Sequence, residues 1–243
     1  MIYAVIDIGS NSIRMNVYRV RNEKFRLLFS KKAMAGIVSY VRDGRLNKDG
    51  IGVLCSTLDG FSKVLTQLEI DRSYVFATAS LRNIDNTREV LAAIERKTGW
   101  KVNVLDGRQE ALLCFHGASL QLQEEDRIYV DIGGGSSEVV CFERRSIISA
   151  CSMPIGSLNL FTAHVREILP TPSEIEAMRM HIHRELAAYV HAQEELLFAA
   201  GGTARAIEKL LLKRNLLERK GQAIERAQLE ELLATLCSPK GAH

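Results

Sequence analysis

Two stretches of this 243-residue chain set a carboxylate beside a turn of small residues. Val5-Ile6-Asp7-Ile8-Gly9-Ser10-Asn11-Ser12 near the start returns as Val130-Asp131-Ile132-Gly133-Gly134-Gly135-Ser136-Ser137 at the midpoint. In each, an apolar strand runs through an Asp into the turn, and a second strand leaves it. Glycine lets the backbone turn sharply and lets a ligand come close to it. A concave run of free N–H groups suits phosphate, and a carboxylate beside it (Asp7, Asp131) suits a Mg²⁺ that travels with phosphate. Two such turns facing each other would clamp a phosphate chain between Ser10, Asn11 and Ser12 on one side and Gly133, Gly134, Gly135 and Ser136 on the other.

Four further positions join this set by spacing. Glu138 lies seven residues after Asp131 on the strand leaving the second turn, and strand alternation keeps it close to the tip. Ala77-Thr78-Ala79-Ser80-Leu81-Arg82-Asn83 reads as a strand end running into a helix start, where Arg82 could fork onto phosphate oxygens. Gly107-Arg108-Gln109-Glu110-Ala111 opens a helix directly after a strand, which projects Glu110 toward the sheet edge. Gly201, Gly202 and Thr203 form a third anion-ready turn between a strand and a helix. Each has an ordinary structural alternative: a solvent-facing strand residue, a capping turn with an exposed Arg, or a Glu matching a helix dipole.

The elements that must position these residues fall into two similar halves, expected as domains over 1–122 and 123–243. The first reads as strands at 2–8, 13–20 and 25–33, a helix at 47–69, a strand at 74–77, a helix at 83–97, a strand at 102–105 and a helix at 108–122. The second reads as strands at 127–131, 137–143 and 146–152, helices near 158–168 and from Ser173, a strand at 196–200, and helices at 204–214 and 225–236. Polar residues 121–126 mark the expected boundary. Three strands followed by helix, strand and helix, twice over, predicts α/β architecture with a mixed, helix-flanked sheet in each half and a ligand in the crevice between.

Composition narrows the partners. Hydrophobic residues make up 47% and charged residues 25%, and the net charge is only +3, which offers no electrostatic case for nucleic acid or a membrane surface. The five cysteines are odd in number and lack C-x-x-C spacing, so reduced thiols in a cytoplasm are expected, with Cys114, Cys141 and Cys151 filling core space. No leader sequence and no bilayer-length apolar run is visible. His181 and His183 stand two apart on a helix and read as surface residues, not as a metal pair. Ile224, Leu229, Leu232, Leu233 and Leu236 make an apolar stripe near the end of the chain, expected to stay open or to be covered by a second copy.

The motifs together resemble the exopolyphosphatase and guanosine pentaphosphate phosphohydrolase family, within the superfamily of acetate and sugar kinases, Hsp70 and actin. The matching stretches are Asp7 to Ser12, Ala77 to Asn83, Gly107 to Glu110, Asp131 to Glu138, and Gly201 to Thr203. The resemblance implies two actin-like (ribonuclease H-like) domains and a Mg²⁺-dependent hydrolase releasing terminal phosphate from inorganic polyphosphate or a guanosine pentaphosphate-like nucleotide. It further implies that Glu110 is the catalytic base, that Arg82 grips the terminal phosphoryl group, and that Asp131 and Glu138 hold Mg²⁺. Two features depart from the family pattern. Gln109-Glu110-Ala111-Leu112 stands where Glu-Glu-Ala-Arg is common, and the chain stops soon after Leu236 where the family usually continues. An ATP-using kinase or ATPase of the same superfamily, and a polyphosphate or nucleotide sensor without turnover, are the alternatives left open.

Overall fold

A computed structural model describes residues 1–119, 127–143, 146–189 and 197–237. The chain starts with three long strands, β1 (Ile2–Ile8), β2 (Ser12–Arg21) and β3 (Lys24–Met34), then a 3₁₀ turn at Ile37–Tyr40 and a small hairpin of β4 (Val41–Arg42) and β5 (Arg45–Leu46). Next come α1 (Lys48–Leu65), β6 (Arg72–Ala77), the single turn α2 (Ala79–Arg82), α3 (Thr87–Thr98), β7 (Asn103–Val104) and α4 (Gly107–Ser119). The second half supplies β8 (Arg127–Ile132), β9 (Ser137–Glu143), β10 (Ser146–Met153), α5 (Ser157–His164), α6 (Pro172–Tyr189), β11 (Leu197–Ala200), α7 (Gly201–Lys213) and α8 (Arg226–Leu236).

Alternation along β1 and β2 builds the first sheet. Ala4, Ile6, Ile8, Ile13, Met15 and Val17 are fully buried, while their neighbours are not. They meet Leu54, Leu58 and Phe61 of α1 and Val90 and Ile94 of α3 in one apolar core. The strand order is β3-β2-β1-β6-β7, with β1 antiparallel to β2 and parallel to β6. The second sheet repeats the pattern as β10-β9-β8-β11, β8 antiparallel to β9 and parallel to β11. Parallel pairing beside β1 and β8 places the carboxyl ends of both strands, with their turns, at one edge of each sheet.

α4 belongs to the first half by sequence but packs on the second sheet. Its Ala111 and Phe115 sit against Tyr129, Val140 and Phe142, and the Phe115 ring lies 4.8 Å from that of Phe142. Residues of α5 and α6, among them Leu160, Ile182 and Leu186, cover the opposite face. This crossing brings Glu110, in the first turn of α4, to the junction of the two halves.

Several expected boundaries move, for local reasons. The helix expected at 83–97 starts only at Thr87. The Asn86 side chain is taken by the Leu46 backbone, accepting from its N–H at 2.9 Å and donating to its carbonyl at 3.0 Å, while the Thr87 hydroxyl donates to the carbonyls of Leu81 and Ile84. The helix expected to reach 168 ends at His164, because the Glu174 carboxylate accepts from the Arg166 and Thr171 amides and draws that segment into a loop. α1 ends at Leu65, short of 69, and α7 begins at Gly201 itself, whose φ of +83° makes the strand-to-helix corner. His181 is not a free surface residue: its Nδ1 lies 2.9 Å from His164 Nε2, joining α6 to α5, whereas His183 is exposed. Cys114, Cys141 and Cys151 pack against the cores, as expected. Of the α8 stripe, Leu232 is buried against Leu211 and Leu217, while Leu229, Leu233 and Leu236 stay 40–49% exposed. The expected boundary at 121–126 lies outside the described residues.

Candidate active site

The two glycine turns touch. A Cβ placed on Gly135 would fall 2.2 Å from Ser10 Oγ and 3.1 Å from Ser10 Cβ, so any side chain there would have to displace Ser10 from the second turn. Each turn is closed by a matching bond, Gly9 N–H to the Ser12 carbonyl at 3.1 Å and Gly133 N–H to the Ser136 carbonyl at 2.9 Å. The two sequence repeats are therefore two copies of one hairpin tip.

Each tip is also held from behind by its carbonyls. In the first, the Ser10 carbonyl accepts from Val38 N–H, and the Asn11 carbonyl from Ala35 and Gly36 N–H. In the second, the amides of Ser157, Leu158 and Asn159 at the start of α5 donate to the carbonyls of Gly133 and Gly134, and Asn159 Nδ2 donates to that of Gly135 at 2.9 Å. Among the described residues the amides of Ser10, Asn11, Gly134 and Gly135 donate no hydrogen bond within the chain. A peptide plane whose C=O is tied on one side presents its N–H on the other, and orphan amides in such nests are a ready anion site. Gly156 makes the clasp feasible, since a Cβ there would lie 2.5 Å from the Gly134 carbonyl group.

Around the tips stand four carboxylates, Asp7, Glu110, Asp131 and Glu138, with Arg14, Arg82 and Arg205 beside them. Asp131 of β8 pairs with Glu138 of β9 in the strand register, and the charges of Glu110 and Asp131 reach both Asp7 and Glu138. Glu138 is almost wholly buried; loss of water, then the charge of Glu110, pushes its carboxyl up to about 7, against the pull of hydrogen bonds from Ser152 and Ser136. Asp7 keeps contact with the open cleft, yet the crowding chain, followed by Glu110, raises its carboxyl to about 6, while Arg14 opposes the rise. Burial also raises Asp131, against the charge of Arg205 in the first turn of α7. Burial is the chief cause of all three shifts, and a hard cation bound among these carboxylates would favour their charged forms. Among the described residues no three Asp, Glu, His or Cys side chains converge on one point. A Mg²⁺ here would thus complete its shell with water and phosphate oxygens, its usual habit.

Glu110 is 7% exposed and accepts from Arg82 Nη1 at 2.7 Å; the same nitrogen lies 3.1 Å from the Leu105 carbonyl. The replacement at Gln109 is absorbed locally: its side chain accepts from Asp106 N–H at 3.1 Å and its own N–H donates to Asp106 Oδ1 at 2.7 Å, a capping box that starts α4. At the third turn, a Cβ on Gly201 would strike Asp131 Oδ1, and the Thr203 hydroxyl donates to the Ile132 carbonyl at 2.9 Å. Thr203 therefore fixes α7 to the end of β8, and its hydroxyl is engaged. Sequence reasoning misses Ser152, Gly156, Asn159 and Arg205; the Gly-Ser step at Gly156-Ser157, where Gly156 caps the start of α5, is the available signal for the clasp.

The sequence matches the Ppx/GppA phosphatase family over residues 16–241. The chain belongs to the Ppx/GppA phosphatase family. Among family relatives, the guanosine-5'-triphosphate,3'-diphosphate pyrophosphatase of Photobacterium profundum is 26% identical over 217 residues, which are 87% of this chain and 44% of that protein. The chain thus spans less than half the length of that curated relative. The crystal structure of the Aquifex aeolicus family member superposes with a TM-score of 0.76 at 25% identity, covering 98% of this chain and 79% of that one. An exopolyphosphatase from Cytophaga hutchinsonii shares the fold with a TM-score of 0.84 at 19% identity, over 98% of this chain and 80% of that one. The family fold, two actin-like domains of mixed α/β structure, is the one described above. Among the described residues no helix is long and apolar enough to cross a membrane.

Proposed function

We propose that this chain is a Mg²⁺-dependent phosphohydrolase that releases the terminal phosphate of inorganic polyphosphate or of a guanosine pentaphosphate-like nucleotide. The observation that carries this reading is the pair of abutting turns with four unengaged amides, set over a cluster of carboxylates raised first by burial and then by their carboxylate neighbours. The relatives' names, as a pyrophosphatase and an exopolyphosphatase, support the same class. Five free cysteines fit a reducing compartment such as the cytoplasm.

Phosphoryl transfer asks a protein chiefly for positioning and for neutralising charge. The amides of Ser10, Asn11, Gly134 and Gly135 would bind non-bridging oxygens of the chain. Arg82, now paired with Glu110, carries donors that reach the terminal phosphoryl group once substrate enters. Asp131 and Glu138, with Asp7 beside them, would hold Mg²⁺, which supplies charge neutralisation on the phosphate oxygens. Glu110 orients a water and takes its proton as the water oxygen bonds to phosphorus. The P–O bond to the bridging oxygen breaks, and that oxygen leaves with the electron pair on the shortened chain.

The test compares phosphate release from long-chain polyphosphate, tripolyphosphate and guanosine pentaphosphate in the presence of Mg²⁺. Release from at least one at a rate above the uncatalysed background is expected, and the highest kcat/KM names the substrate. Tight binding of all three with no release would replace the enzyme by a sensor.

A further inference from the structure

Ser152, near the end of β10, lies in none of the glycine motifs. Its hydroxyl nevertheless stands between two charged groups from different halves of the chain. It donates to Glu138 Oε1 at 2.7 Å and accepts from Arg82 Nη2 at 3.1 Å. A hydroxyl has one proton and two lone pairs, and a guanidinium can only donate, so this is the one arrangement that satisfies both neighbours. Because Arg82 Nη1 holds Glu110, the four side chains form one run: Glu110, Arg82, Ser152, Glu138.

Ser152 is well placed to be a fixed point. The strand register sets it directly opposite Glu138, so a rigid antiparallel ladder holds the pair together. From the other side the start of α4 presses on it, for a Cβ on Gly107 would lie 3.0 Å from Ser152 Cβ. The hydroxyl therefore has little freedom to turn away. Charged groups left without such support in a cleft of like charges would swing toward water.

We propose that Ser152 is a positioning residue that ties the phosphate-gripping Arg82 of one half to the cation-holding Glu138 of the other, setting their separation before substrate arrives. The proposal rests on the phosphohydrolase reading for the role of Arg82, and on the carboxylate cluster alone for the role of Glu138. Side chains behind a ligand typically contribute about 10–100-fold to metal affinity or activity.

The experiment measures Mn²⁺ binding by calorimetry, without substrate, for the wild-type chain, Ser152→Ala, Ser152→Cys, Glu138→Gln and the double variant Ser152→Ala with Glu138→Gln, alongside kcat and KM. Ser152→Cys keeps the side chain's shape with a much weaker donor, and covers the case in which the alanine variant unfolds. Expected are about 10–100-fold weaker Mn²⁺ binding by both Ser152 variants, a comparable fall in kcat/KM, and no further loss of binding when Ser152→Ala is added to Glu138→Gln. Mn²⁺ affinity within twofold of wild type in the Ser152 variants, or a loss that persists undiminished in the double variant, would overturn the proposal, as would a wild-type chain that binds no Mn²⁺. A wild-type chain that binds Mn²⁺ through Glu138 but turns over no phosphate would sink the enzyme reading while leaving the Ser152–Glu138 link standing.

Discussion

Replacing Glu138 by glutamine should stabilise the metal-free protein at pH 8 and, if Glu138 holds Mg²⁺ as proposed, abolish the response to that cation in the same step. Glu138 is 3% exposed, and folding lifts its carboxyl from the ordinary 4.5 to about 7. An acid whose pKa is raised by folding favours the folded state while it is protonated, below about pH 4.5. That contribution is lost as pH rises through about 7, above which the fold must carry a buried anion. With about 1.4 kcal/mol for every tenfold change in proton affinity, the loss amounts to roughly 3 kcal/mol. For a chain of this length that corresponds to about 6–12 °C in Tm. Glutamine keeps an oxygen to accept from Ser152 and carries no charge. The assay is thermal unfolding of wild type and Glu138→Gln from pH 4.5 to pH 8, with chelator and again with excess Mg²⁺. The wild type should fall relative to the variant as pH rises, and Mg²⁺ should recover the wild type alone, since a ligand of the folded state stabilises it by mass action. Parallel pH curves for the two proteins, or an equal response to Mg²⁺, would show that Glu138 neither carries a buried charge at pH 8 nor holds the cation.

Arg82→Lys should lower kcat/KM by at least tenfold, about 1.4 kcal/mol, because a lysine keeps the charge but cannot serve Glu110, Leu105 and Ser152 from one planar fork; steady-state kinetics equal to wild type would reduce Arg82 to a steering charge. Gly156→Ala places a methyl on the Gly134 carbonyl group, so the second turn must shift, and turnover should fall on the order of 10²-fold with the melting temperature changed far less. Unchanged activity would show that α5 does not set the turn. Leu229, Leu233 and Leu236 stay exposed on α8, a strip expected to remain open or to be covered by a second copy; solution mass against concentration separates the two, and a mass of one chain at all concentrations rules out the pairing.

Much of this site is legible in the sequence because its chemistry sits in short, contiguous motifs. Asp7 to Ser12 and Asp131 to Glu138 each encode a strand, a turn and a second strand within a dozen residues; alternation keeps Glu138 near the tip, and the hairpin register sets it opposite Asp131. What the sequence conceals depends on contacts between distant segments. Ser152 meets Arg82 across 70 positions, and Asn159 reaches the Gly135 carbonyl across 24. The start of α3 is hidden because Asn86 is claimed by Leu46, 40 residues away, a demand no local pattern carries. The packing of α4 on the second sheet is hidden for a related reason: Ala111 and Phe115 announce an apolar face but not which sheet receives it. The pairing of His181 with His164 likewise needs the turn between α5 and α6.

Glu110, held by Arg82 where the two glycine turns meet, is the group proposed to activate water against a terminal phosphoryl group. Single-turnover release of phosphate from the preferred substrate, measured for wild type and Glu110→Gln with Mg²⁺ present, tests that role most directly. The variant should still bind substrate but release phosphate about 10²–10⁴-fold more slowly, the usual contribution of general base catalysis. In barrier terms that is roughly 3–5 kcal/mol. Release by Glu110→Gln at the wild-type rate would contradict it.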